Sequence, residues 1–182
     1  MIEPSSSLSA WSAFFTAIST SAAALIGLMF VVITLINREE WKEQIRRNSD
    51  GLSTFSTPTV MHFCAALLVS AILVAPWRSL LGPAILLGAT GLYGLVYAVR
   101  VMLRTQRLRT YTPDLEDWAW YNILPFVAYG AVFAGALTLT RAPAAGIEAF
   151  GAGALLLIFI GIRNAWDVVT YLAVHGPPGS EE

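Results

Sequence analysis

The chain has 182 residues, 56% of them hydrophobic and 13% charged, with a formal net charge of −1 and a mean hydropathy of +0.63. Soluble domains carry about 25% charged residues, and a domain of this length cannot hide so much apolar surface in water; a water-soluble globular protein is therefore excluded, and lipid is the expected solvent. The small net charge, with no basic patch interleaved with aromatics, excludes nucleic acid as a partner, and the single cysteine, Cys64, excludes an internal disulfide and a cysteine-built metal site.

Five apolar runs predict an all-α bundle of five transmembrane helices. The first covers 11–36. The segment before it, "MIEPSSSLSA", has no Lys or Arg, and the run is too long for the core of a cleaved signal peptide, so it reads as a retained span. The loop "NREEWKEQIRRNSD" reads as a helical projection supported by a Glu43–Arg47 pair and ended by Asp50 and Gly51. The second run covers 57–77, with Thr57 as N-cap and Pro58 at the first helical position. "APWRSLLGPA" then predicts a tight hairpin into the third run, 80–103, whose helix is expected to extend to about Arg109.

"TPDLEDWAWY" opens the fourth run, 121–140. Asp114, Glu116 and Asp117 suit a helix N-terminus, Trp118, Trp120 and Tyr121 suit the lipid–water boundary, and Pro125 is placed to kink the helix. "TRAPAAG" turns the chain into the fifth run, 143–171. Residues 1–174 thus form a single transmembrane domain, and 175–182, "HGPPGSEE", a flexible cytoplasmic tail. The runs show no period-two alternation, so strands are not expected.

Basic residues alternate between connections. Arg38, Lys42, Arg46 and Arg47 follow the first run, and Arg100, Arg104, Arg107 and Arg109 follow the third. The second and fourth connections hold only Arg78 and Arg141. By the positive-inside rule the N-terminus lies outside and the C-terminus in the cytoplasm.

Small residues recur four apart: Thr16, Thr20 and Ala24, with Ser19, Ala23 and Gly27 beside them; Ala84 and Gly88; Thr90, Gly94 and Ala98; Gly130 and Ala134; Ala131 and Gly135; Ala149 and Gly153. That spacing lets helix backbones approach closely in lipid. The hydroxyls Thr16, Ser19 and Thr20 have two readings. They line a path in an oligomer, or they bond their own backbone carbonyls.

The stretch "GIRNAWDVVTYL" at 161–172 sets polar residues at the end of an apolar helix. Arg163 lies about 27 Å along that helix from the outer boundary near Ala145, so the polar groups belong to the cytoplasmic leaflet. Arg163 and Asp167 are i,i+4 partners, and Asn164 is i,i+3 from Asp167. His62, Arg100 and Asn122 fall at a similar depth on other runs. The six residues form either a structural clasp with snorkelling arginines or a pocket or gate. In the second case His62 matters most, because imidazole can change charge near neutral pH.

There is no HExxH, GxSxG, P-loop or dinucleotide fingerprint. His62 and His175 have nothing to set them opposite one another as haem ligands. No enzyme, cofactor or metal is expected. Residues 22–37, "AAALIGLMFVVITLIN", and 163–172, "RNAWDVVTYL", resemble small uncharacterised bacterial polytopic inner-membrane proteins. The resemblance implies a helical protein of the bacterial inner membrane and no activity. The expected function is an accessory or regulatory membrane component that self-associates or binds another membrane protein. The alternative is a small homo-oligomeric channel or transporter with a polar gate in the cytoplasmic leaflet.

Overall fold

The computed structural model describes residues 4–36, 49–106 and 118–174. It comprises five α-helices: α1 (Pro4–Ile36), α2 (Ser49–Val74), α3 (Leu81–Gln106), α4 (Leu124–Thr138) and α5 (Pro143–Val174). A π turn, Ala119–Ile123, leads directly into α4. No strand occurs among the described residues.

Four segments are long and apolar enough to cross a membrane: Leu8–Val32, Leu81–Leu103, Ala119–Thr138 and Pro143–Asp167. Helices of this length and composition are those of an integral membrane protein. The expectation of five spans is met in part: the second, expected over 57–77, has an apolar stretch of only Pro58–Val74 in α2. That stretch is about 25 Å long, because the turns before it, "SDGLSTFST", are polar.

Two helix starts also differ from expectation. α1 begins at Pro4 rather than at residue 11; proline is well suited to a first helical position, where its missing N–H costs nothing. α2 begins at Ser49, so Asp50 and Gly51 lie in its first turn, and Thr57–Pro58 lies inside the helix instead of capping it. Pro58 removes one hydrogen bond from the ladder, and its ring is buried against the bundle. Burial on a packed helix outweighs that local signal. The expected Glu43–Arg47 pair, the continuation of α3 to Arg109, the acids 114–117 and the tail 175–182 lie outside the described residues.

α5 is the central helix. It packs against α1, α2 and α4, while α3 packs chiefly on α4. The connection at 75–80 is tight, as expected. The Trp77 indole donates to the Ile72 carbonyl at 2.5 Å and covers Gly82. Yet α2 and α3 pack little against each other beyond it. Sequence neighbours are usually neighbours in space, but here α2 closes on α1 and α5 instead.

Each helix turns one stripe inward. On α1 this is Phe15, Ile18, Ala22 and Met29, and on α2 Phe63, Ala66, Val69 and Leu73, at helical spacing. The outer surface is equally apolar: Phe30, Ile85, Leu92, Phe126, Leu137 and Phe159 are exposed. An exterior of this kind is matched to hydrocarbon. Contact between helices comes from small residues. A Cβ added at Gly91 would come within 2.7 Å of the Phe133 nitrogen, and one at Gly146 within 2.9 Å of the Leu139 Cα, so α3 meets α4 and α4 meets α5 backbone to backbone.

These contacts make a prediction. Gly91→Ala drives a methyl into the α4 backbone and should cost about 1–3 kcal/mol, read as a lower midpoint of thermal unfolding in mild detergent. Gly27→Ala, where an added Cβ meets nothing within 4 Å, should leave the midpoint unchanged or slightly raised.

Candidate functional site

Most of the polar residues singled out from the sequence lie on α2, the π turn before α4 and α5, and their position follows from local structure. Pro125 has no N–H to give to the preceding turn, and its ring crowds the carbonyl four residues back. The helix ahead of it accordingly widens into the π turn, where the Leu124 N–H reaches the Ala119 carbonyl. The expected kink at Pro125 is thus a change of helical register. π turns of this kind recur at functional sites. Asn122 lies within this one and is 3% exposed.

The antiparallel register of α4 and α5 sets the level. Gly135 lies against Gly146 and Phe150, Gly153 against Ala128 and Val132, and Tyr121 against Asp167. Followed along both helices, this pairing brings Asn122 to within about a turn of Asn164 in height. Asn164 is fully buried. Neither carboxamide has a hydrogen-bond partner on its nitrogen or its oxygen.

Two polar links flank the asparagines. Toward the helix end, Arg163 and Asp167 form an ion pair along α5, with side chains 34% and 35% exposed. The Tyr121 hydroxyl donates to Asp167 Oδ2 at 3.2 Å and ties the π turn to α5. Toward the bundle interior, His62 Nδ1 and Tyr129 Oη share a 3.0 Å hydrogen bond across α2 and α4. Both side chains are buried, at 3% and 2% exposure. Phe63 packs on Gly161, which sets His62 about one turn from Asn164 along the bundle.

Of the six residues singled out from sequence, five fall in this region: His62, Asn122, Arg163, Asn164 and Asp167. Arg100 is exposed on α3. The candidate path residues stand apart on α1. Thr16 and Thr20 face outward and Ser19 is half-buried. The Thr20 hydroxyl donates to the Thr16 carbonyl at 2.9 Å.

Sequence reasoning missed Tyr129 and the bridging role of Tyr121. Tyr129 sits in an apolar run and reads as core. The usable signal was its hydroxyl, which needs a partner when buried, together with a histidine at matching depth. Thr59, one turn from His62 and fully buried, was missed for the same reason.

Chemically, the region offers two neutral carboxamides, an imidazole bonded to a phenol, and one ion pair. It can bind and orient a polar guest. Among the described residues no group of three or more His, Cys, Asp or Glu could hold a metal ion. Compared with protein-family models, curated proteins and solved structures, the chain matches none.

Tyr129→Phe leaves the buried imidazole without its partner and should cost about 1–3 kcal/mol, seen as a lower unfolding midpoint in detergent. Tyr93→Phe, on an exposed side chain of α3, should leave the midpoint in place.

Proposed function

We propose that this chain is a five-crossing protein of the bacterial inner membrane, N-terminus outside and C-terminus cytoplasmic, acting as a non-enzymatic accessory component that docks another transmembrane helix along α1. The alternation of basic connections supports the orientation. The 26-residue length of α2, about 39 Å, supports a fifth crossing despite its short apolar part.

The observation that carries the docking reading is the outer face of α1. Ala13, Thr16, Ala17, Thr20, Ala24 and Gly27 are all exposed. At 100° per residue they form one stripe, opposite the buried face of Phe15, Ile18, Ala22 and Met29. Other outward faces carry large side chains, such as Ile85, Leu92 and Val96 on α3. Within the bundle, small residues mark the places where a second backbone lies close, as at Gly91 and Gly146. On α1 the same residue types face outward, exposed among the described residues. In lipid a stripe of this kind favours another helix over acyl chains.

The simplest occupant is α1 of a second copy, packed as a symmetric pair. The channel alternative would use Thr16, Ser19 and Thr20 as its lining. Thr20 already donates to its own backbone, which favours packing over a wet path.

The experiment is mass measurement in mild detergent and nanodiscs, with disulfide trapping of Thr20→Cys in a Cys64→Ala background. The expected result is a particle larger than the 19.7 kDa chain, Thr20→Cys cross-links in native membranes, and dissociation by Ala17→Leu with Gly27→Leu. A monomer that forms no cross-link to a second copy or to any other membrane protein would overturn the docking reading. Liposomes bearing the oligomer should pass no ions; selective flux abolished by Thr16→Leu would favour the channel instead.

A further inference from the structure

Asn122 and Asn164 lie within about a turn of each other in height, are at most 3% exposed, and leave both carboxamides without a protein partner. Buried amides are otherwise hydrogen-bonded, so two this near in height call for a common guest. We propose that Asn122 and Asn164 line an internal water-holding pocket, reached from the end of α5 past the Tyr121–Asp167 hydrogen bond.

The chemistry of the guest follows from the donor set. Each carboxamide presents two N–H donors as well as an acceptor oxygen. A cation would satisfy the oxygens and leave every donor unpaired. Water satisfies both, and needs only two to four polar partners to be held. Pro125, just after the turn, has no N–H to give to the carbonyls of the π turn. A widened turn also leaves more room beside α5 than a regular one.

The route is marked by polarity and exposure. Arg163 and Asp167 are each about one-third exposed, while Asn164, between them in sequence, is fully buried. The path from that rim to the asparagines crosses the hydrogen bond from Tyr121 to Asp167, which joins the π turn to α5. This bond is the latch of the pocket. α1 contributes none of these groups, so the inference is independent of the docking reading.

The test uses the full chain in sealed membrane vesicles, with the lipid-facing Cys64 replaced by alanine. Asn122→Cys, Asn164→Cys and, as a dry-core control, Ala154→Cys are each treated with a small water-soluble methanethiosulfonate. Both asparagine variants should react about tenfold or more faster than Ala154→Cys, as water-lined positions do. Adding Tyr121→Phe should raise their rates further by opening the latch. Equal rates at all three positions would overturn the proposal. Should a cysteine variant fail to fold, X-ray hydroxyl-radical labelling of the unaltered protein decides. Phe63, beside the pocket, should be oxidised and Phe150, in the dry core, should not, although both are fully buried. No difference between them would overturn it as well.

Discussion

The structure depends on backbones meeting at small residues. Between helices in hydrocarbon, apolar side chains gain little from one another that acyl chains would not also give. What remains is close fit, and close fit needs side chains that do not hold the helices apart. Gly91 against Phe133 and Gly146 against Leu139 meet that need. They join α3 to α4 and α4 to α5, while Gly161 against Phe63 and Gly151 against Trp11 and Phe14 bring α2 and α1 to α5, which makes α5 central. Large apolar groups then fill what is left on either side, inward at Phe150 and outward at Phe159.

The weak pairing of α2 with α3 is a consequence of the same constraint. A short connection brings two helix ends together but creates no reason for their lengths to pack. α3 spends its small face, Gly88, Gly91 and Gly94, on α4. α2 finds its fit on α5, where Gly161 receives Phe63. His62 and Tyr129 therefore meet across the bundle from helices that share few other contacts.

Much of this was legible in the sequence. Length and hydropathy placed the apolar runs, and small-residue spacing marked Gly88, Gly94, Gly135 and Gly153 on the packed faces but missed Gly91, Gly146 and Gly161 and also marked Gly130, where an added Cβ meets nothing within 4 Å. Depth along each run brought His62, Asn122, Arg163, Asn164 and Asp167 into one region. Helix starts were less legible, because a cap signal is worth only about 1 kcal/mol and is overridden when the helix beyond it finds a surface, as α2 does ahead of Pro58. Arg100 was placed at the right depth on the wrong face. Depth needs only a rise per residue, whereas facing needs the neighbour, and α3 turned its glycines rather than its arginine toward α4. Spacing alone also gave the α1 stripe the same meaning as the others. Only the packed bundle separates small residues that already have a partner from those that do not.

The two asparagines stand apart from this economy. The fold is held by glycine contacts around them: Gly153 and Gly135 on one side and Gly161 at their own level. A buried polar group left unsatisfied costs about 1–3 kcal/mol, a sizeable fraction of the 5–15 kcal/mol that holds a typical domain. Leucine at either position would spare that cost, and the bundle has no structural use for an amide that bonds to nothing in the protein. Ser70, also buried and unpartnered, is a weaker case, since a serine hydroxyl can turn to its own helix carbonyl without any change of fold. A carboxamide has both an acceptor oxygen and two donor N–H groups, so a single turn toward a helix carbonyl leaves part of it unpaired. The energy lost at Asn122 and Asn164 is recovered if a polar guest, such as the proposed water, reaches both carboxamides.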